Sequence, residues 1–187
     1  RPEATRDAMR GGESTEWESE IADIGPVRCS TFRDHRGPGA IFQLISMRPT
    51  GAEQLGLAAE VQSLTTEIEG LVLVATPRAS GKTTLVGSLV DLINRQRPAY
   101  VITLERQIRV VHEPGGALIS QREVRGTTDE WVAVTRSAMR ENPDVLVIED
   151  LSSAEMCQLA LDAAGYGVLV IASVAAVSTA AAIARLV

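Results

Sequence analysis

Apolar and polar positions change rhythm twice along this chain of 187 residues. Residues 1–20 are polar and charged, with Gly11-Gly12 and several glutamates, and read as a flexible lead-in or an exposed hairpin. Between Ile21 and Met47 short apolar segments are cut by turn signals at Gly25-Pro26 and across Asp34 to Gly39, which predicts two or more antiparallel strands. Arg48-Pro49-Thr50-Gly51 reads as a linker. From Gln54 onward, short apolar runs alternate with segments of helical period. The predicted strands are 71–74, 100–104, 118–121, 145–148 and 168–172. Predicted helices lie near residues 58–65, after Lys82, before Pro143 and from Ser178. The expected fold is therefore α/β, with a mostly parallel sheet covered by helices on both faces.

Two of these helices carry further signals. After Lys82, Leu85, Leu89, Leu92 and Ile93 fall on one face. Thr127-x-x-Glu130 can form a capping box, with Trp131, Val134 and Ala138 following at helical spacing. The stretch from Ala163 to Ala184 is uncharged and long enough to cross a bilayer. Its glycines and small residues divide it more naturally into a helix end, a strand and an alanine-rich helix, so no membrane span is expected.

The junction of the first apolar strand with its helix carries the chemistry. Residues 76–84 read Thr-Pro-Arg-Ala-Ser-Gly-Lys-Thr-Thr, close to the phosphate-loop pattern G-x-x-x-x-G-K-[ST] with Thr76 at the first glycine. Gly81 lets the backbone approach a phosphate, Lys82 can neutralise the terminal phosphates, and the Thr83 hydroxyl can ligate Mg²⁺. Amides at the helix start complete an anion site. A β-branched Thr76 resists positive φ, so the loop is expected to be altered. The alternative for the same residues is an ordinary strand-to-helix turn. Two further strands run into acids, at Glu105 and at Glu149-Asp150. Ligands of open α/β sheets sit at such strand ends, and nucleotide hydrolysis needs a carboxylate there to hold Mg²⁺ through water or orient the attacking water. Acids also simply mark where a buried strand meets solvent.

Composition narrows the classes. A net charge of −6, a pI near 5.0 and 3% aromatic residues argue against a nucleic-acid footprint. Cys29 and Cys157 are far apart and form no metal-spaced pair, which fits a reduced setting. His35 and His112 have no partner cluster and read as surface or loop residues.

The order of segments resembles the hexameric ATPases of type II secretion and type IV pilus systems, most closely the twitching-motility retraction branch. Matching segments run from about Gly25 to the C-terminus. The most specific are Gln121-Arg122-Glu123-Val124 and the helix Arg136 to Arg140 leading through Asn142-Pro143-Asp144 to the Walker B strand. Arg28 to Phe32 and Arg36 to Phe42 are similar to the last strands of the family's N-terminal PAS-like domain. The resemblance implies a RecA-like P-loop NTPase sheet, preceded by the end of a small PAS-like α+β domain. It divides the chain into a remnant of that domain at 1–48, a linker at 49–53 and a C-terminally truncated ATPase domain at 54–187.

The same resemblance implies ATP and Mg²⁺ as cofactors, bound by Thr76, Pro77, Arg78, Ala79, Ser80, Gly81, Lys82, Thr83 and Thr84. Thr83 would ligate Mg²⁺ directly and Asp150 through water. Glu105 and Asp150 would be the catalytic carboxylates, with Glu149 as substitute, while Arg28 and Arg36 would sense phosphate across a subunit boundary. The full-length protein is expected to form a hexameric ring in the cytoplasm, peripheral at the inner membrane through a pilus or secretion platform protein, and to bind no nucleic acid. Departures fall on the chemistry. Thr76 and Ala79 replace glycines, Arg106-Gln107 replace Asp-Pro, and Asp150 stands at the catalytic glutamate. Val168 and Ala175 stand at two histidines, and Gln43 at an arginine. Shortening a catalytic carboxylate by one methylene misplaces it by about 1 Å, which can cost roughly 10²-fold in rate. Weakened ATP hydrolysis is the expectation, and the rival is a non-hydrolysing pseudo-ATPase that serves assembly. A DNA-translocating ATPase is a further rival, disfavoured by the net acidity.

Overall fold

The structure, a computed structural model, describes residues 15–46, 48–77 and 80–186. The chain divides into two compact units, Arg1–Met47 with Arg109–Val111, and Arg48–Ile108 with His112–Val187.

In the first unit, β1 (Glu16–Ile21), β2 (Gly25–Asp34) and β3 (Gly37–Leu44) form an antiparallel sheet in that order. Of the two readings of residues 1–20, a flexible lead-in or an exposed hairpin, the second holds for residues 16–20, which pair with Pro26 to Ser30 along β1. The reason is a cross-strand charge match: Arg28 is 3% exposed, and its guanidinium donates to Glu18 at 2.6 Å and lies 3.8 Å from Glu16. Residues 1–14 lie outside the described residues.

The second unit holds a parallel sheet of β4 (Gly70–Thr76), β5 (Tyr100–Glu105), β6 (Leu118–Glu123), β7 (Val145–Ile148) and β8 (Leu169–Ala175). Their spatial order is β4-β8-β7-β5-β6. The helices are α1 (Ala59–Ser63), α2 (Lys82–Gln96), α3 (Thr128–Met139), α4 (Ala154–Gly165) and α5 (Thr179–Ile183). Three of them start or stop on local signals. Thr127 and Glu130 form the reciprocal capping box, with the Thr127 amide donating to Glu130 Oε2 at 2.6 Å. Ser153 and Ser178 cap α4 and α5 by accepting the amides of Met156 and Ala181. Asn142 adopts φ 52° just past α3, ahead of Pro143.

Alternation along the strands sorts residues onto two sheet faces. Val74, Val101, Val145, Val147, Leu169 and Ile171 pack with Leu89, Val90, Leu92 and Ile93 of α2. Ile102, Leu104, Leu146, Ile148, Val170 and Ala172 pack with Trp131 of α3 and Met156, Cys157 and Ala160 of α4. Burial of each large apolar side chain contributes about 1.5–3 kcal/mol, so the α2 stripe alone fixes that helix firmly on the sheet. The expected parallel sheet with helices on both faces is what forms. Among the described residues no helix is long and apolar enough to cross a membrane.

Candidate functional site

The phosphate-loop end begins where β4 stops. Thr76 is the last residue of β4 and pairs in register with Ala175, so it is extended and needs no left-handed backbone. The strain anticipated at Thr76 is therefore not seen; its Oγ1 is instead buried without a hydrogen-bond partner among the described residues. The residue that does need glycine is Gly81, at φ 85°, which turns the chain into α2 and accepts the Leu85 amide at 2.9 Å. Ser80 donates to the Pro77 carbonyl at 2.6 Å and tightens the turn. Lys82 and Thr83 open α2 half-buried, Thr84 is exposed, and the first turn holds no acidic residue. That leaves the helix N-terminus electrostatically suited to an anion such as a nucleotide phosphate. Arg78 and Ala79, also expected here, lie outside the described residues.

The second end of the site is made by register. Glu105 of β5 pairs with Glu123 of β6. One step beyond the Leu104–Ile148 pair, Glu149 continues β7, and its amide still donates to the Leu104 carbonyl at 3.0 Å. These acids follow Val101 and Val147 at even spacing, which puts them on the face of the sheet covered by α2, the helix that Lys82 and Thr83 open. The row is heavily hydrogen-bonded. Thr103 Oγ1 donates to Glu105 Oε1 at 2.7 Å, and Gln121 Nε2 donates to the same oxygen at 3.2 Å. The Ile108 amide donates to Glu123 at 2.9 Å, and the Arg106 amide donates to Glu149. Burial raises the pKa of Glu105 above the ordinary carboxylate value. The hydrogen bonds from Thr103 and Gln121 oppose that shift, and the charges of Glu149 and Glu123 add to it. A half-buried carboxylate with a raised pKa is suited to exchanging a proton.

The expected residues do not all join this row. The charge of Asp150 is felt by the Cys157 thiol of α4, on the opposite face; burial raises that thiol first, Arg185 lowers it and Asp150 raises it further. Glu149, expected only as a substitute, is the one in line with Glu105. Arg106 falls on the α3 side, its guanidinium 5.4 Å from the Trp131 ring centroid. Arg28 and Arg36 belong to the other unit: Arg28 is held by β1, and Arg36 is exposed at the β2–β3 turn, its amide donating to Asp34 at 2.8 Å. Reasoning from the sequence missed Gln121 and Glu123 as site residues, although their segment was its most specific family match. Strand alternation was the available signal. It sends Gln121 and Glu123 to the acid row and Arg122 to the other face, where Arg122 grips Glu141 at 2.7 and 2.6 Å. That grip, with a hydrogen bond from Tyr100, holds Glu141 down to about 2.

Comparison with known proteins bears on this geometry. Residues 40–187 match the family described as type II/IV secretion system protein. The chain is 34% identical over 92% of its length to the type IV pilus retraction ATPase PilT of Pseudomonas aeruginosa, and covers 50% of it. It is also 34% identical over 81% of its length to a twitching motility protein of Neisseria gonorrhoeae, covering 40% of that protein. The chain thus spans about half the length of the curated relatives it matches or less. The crystal structure of the pilus retraction motor PilT with bound ADP superposes with a TM-score of 0.82 at 28% identity, covering 94% of this chain and 51% of that one. The Legionella pneumophila ATPase DotB shares the fold at a TM-score of 0.81 and 22% identity, over 99% of this chain and 53% of that one.

Proposed function

The chain belongs to the type II/IV secretion system protein family, and on that premise we propose that it is the nucleotide-binding part of a pilus-retraction or secretion motor that binds Mg-ATP and hydrolyses it slowly. One observation carries this reading: Gly81-Lys82-Thr83 open α2 above the same sheet face on which Glu105 and Glu149 end their strands. Thr76 to Thr84 would hold the nucleotide, with Lys82 on the β- and γ-phosphates and Thr83 on Mg²⁺. The bound metal would neutralise phosphate charge. Glu105, with its raised pKa, is the carboxylate best prepared to take a proton from water. The related PilT structure holds ADP, which supports nucleotide binding by this chain.

Slow turnover is part of the proposal. It rests on Asp150 at the position of the family's catalytic glutamate, on the α4 side of the row. Residues 1–48 as a PAS-like segment, 49–53 as linker and 54–187 as ATPase domain belong to the same reading. So do the cytoplasmic hexameric ring, the inner-membrane platform partner, the Mg²⁺ role of Asp150 through water and the phosphate-sensing roles of Arg28 and Arg36. Mg-ATP titration, turnover and light scattering on the full-length protein test it together. The expected result is micromolar binding, slow phosphate release and a ring favoured by nucleotide, because a ligand bound at a shared interface stabilises the assembled state. Binding without turnover would leave the non-hydrolysing assembly subunit. A full-length protein that stays monomeric in saturating Mg-ATP would sink the motor reading.

A further inference from the structure

Between the phosphate-loop strand and the acid-ended strand β7 lies β8, and on it a hydroxyl with nothing to bond. Ser173 is 1% exposed, and its Oγ is buried without a hydrogen-bond partner among the described residues. A buried hydroxyl left unpaired forfeits the hydrogen bonds it makes to water in the unfolded chain, so its presence in a strand otherwise filled with Leu, Val, Ile and Ala calls for a partner.

Register identifies that partner. Ser173 pairs with Val74 of β4 and follows Leu169 and Ile171 on the α2 face. On its other side, Ile148 pairs with Ala172, so the next step sets Glu149 beside Ser173, and the Leu151 amide donates to the Ser173 carbonyl at 3.0 Å. Val74, Ser173, Glu149, Glu105 and Glu123 therefore form one transverse row across five strands. Neighbouring strands lie about 4.8 Å apart, so a Glu149 carboxylate can reach either flanking strand by a change of side-chain rotamer. In the structure it is turned towards β5, where it accepts the Arg106 amide. The Ser173 hydroxyl waits on the other flank, towards the phosphate loop.

We infer that Ser173 is a positioning residue that takes the Glu149 carboxylate when a Mg-nucleotide binds, swinging it from the Arg106 amide towards the phosphate loop. The pull is electrostatic: β4 and β7 are separated only by β8, about 10 Å in all, and the cation that accompanies a nucleotide adds positive charge on the β4 side. The swing exchanges one hydrogen bond for another and satisfies the orphaned hydroxyl. It also carries the acid from a structural tie to the place where a carboxylate can orient water. This rests on the nucleotide-site reading above and adds to it a two-position acid.

Amide hydrogen exchange at Arg106, with and without a non-hydrolysable Mg-ATP analogue, reads the swing directly in the full-length protein. Wild type should show Arg106 exchange rising at least about tenfold on binding, as its acceptor leaves. Ser173→Ala should keep Arg106 protected and lower kcat about tenfold with KM within twofold, while Ser173→Thr, which retains the hydroxyl, should behave as wild type. In a Glu149→Gln background Ser173→Ala should add less than twofold to the loss in kcat. Unchanged Arg106 exchange in a protein that binds the analogue overturns the inference and leaves the nucleotide site standing. So does a Ser173→Ala protein with wild-type exchange and kcat. Absence of analogue binding in wild type overturns both readings.

Discussion

At β4 and α2 the candidate site is made of backbone: an extended strand end, a left-handed glycine and the amides of a helix start whose N-cap makes no side-chain hydrogen bond among the described residues. At β5, β6 and β7 it is made of side chains, each carboxylate held by a donor from another segment or a near neighbour. The two ends answer differently to substitution. A backbone cradle tolerates changes of side chain wherever φ stays ordinary, which is why Thr76 fits where a glycine was expected. A row of carboxylates depends on the identity and reach of each residue, because Glu105, raised first by its burial, is raised further by the charges of Glu149 and Glu123. The functional cost of sequence drift should therefore fall on the acid row rather than on the loop.

The strongest test of that contrast is Glu105→Gln, which keeps shape and removes the proton acceptor. Its kcat should fall about 10²–10³-fold, as expected for loss of a general base. The same variant has a stability signature with a definite sign. Burial raises the Glu105 pKa above 4.5 in the folded state, so the neutral form is favoured there. The stability this supplies is fully present below the unfolded pKa and is lost as pH rises through the folded one. Glu105→Gln and wild type should unfold at the same urea concentration near pH 4, with the variant becoming the more stable by pH 7. Wild type gaining on the variant as pH rises would show that the hydrogen bonds from Thr103 and Gln121 outweigh burial.

Next in size is Lys82→Ala at the loop end. A charge-assisted bond to phosphate contributes about 1.5–3 kcal/mol, or roughly 10–100-fold in affinity. Isothermal titration with Mg-ADP should find that loss with little change in the unfolding midpoint, since Lys82 is only half-buried at the helix start. Equal affinities would take Lys82 out of the site and leave only amides there.

The smallest effect should come from Thr76→Gly, which restores the family residue. Because Thr76 is extended in register with Ala175, Mg-ADP affinity should change less than about twofold. Stability should drop by about 0.5–1 kcal/mol, the cost of glycine within a strand. A tenfold rise in affinity would restore backbone strain as the defect of this loop and reverse the comparison.

Much of the molecule was legible before any coordinate. Apolar runs without alternation announced strands buried on both faces. The spacing of Leu89, Leu92 and Ile93 set the face of α2, and Thr127 with Glu130 marked the start of α3. These are local signals, carried by residues within one or two turns of each other. Glu16–Ile21 was legible only as one of two alternatives, because a strand of alternating glutamates looks as much like a solvated tail as a hairpin until Arg28 is set opposite it.

What the sequence by itself determined is the list of elements and the chemical inventory at their ends: Lys82 and Thr83 after β4, Glu105 after β5, Glu149 and Asp150 after β7. Which of these face each other was decided only by strand order and register. Inserting β8 and β7 between β4 and β5 puts Ser173, Glu149, Glu105 and Glu123 side by side, though up to 68 positions separate them in the chain (173 − 105). Period-two alternation then sends Arg122 to the opposite face from this row. No local pattern encodes such neighbours, because parallel strands meet only through crossovers whose order is set by packing of the whole sheet.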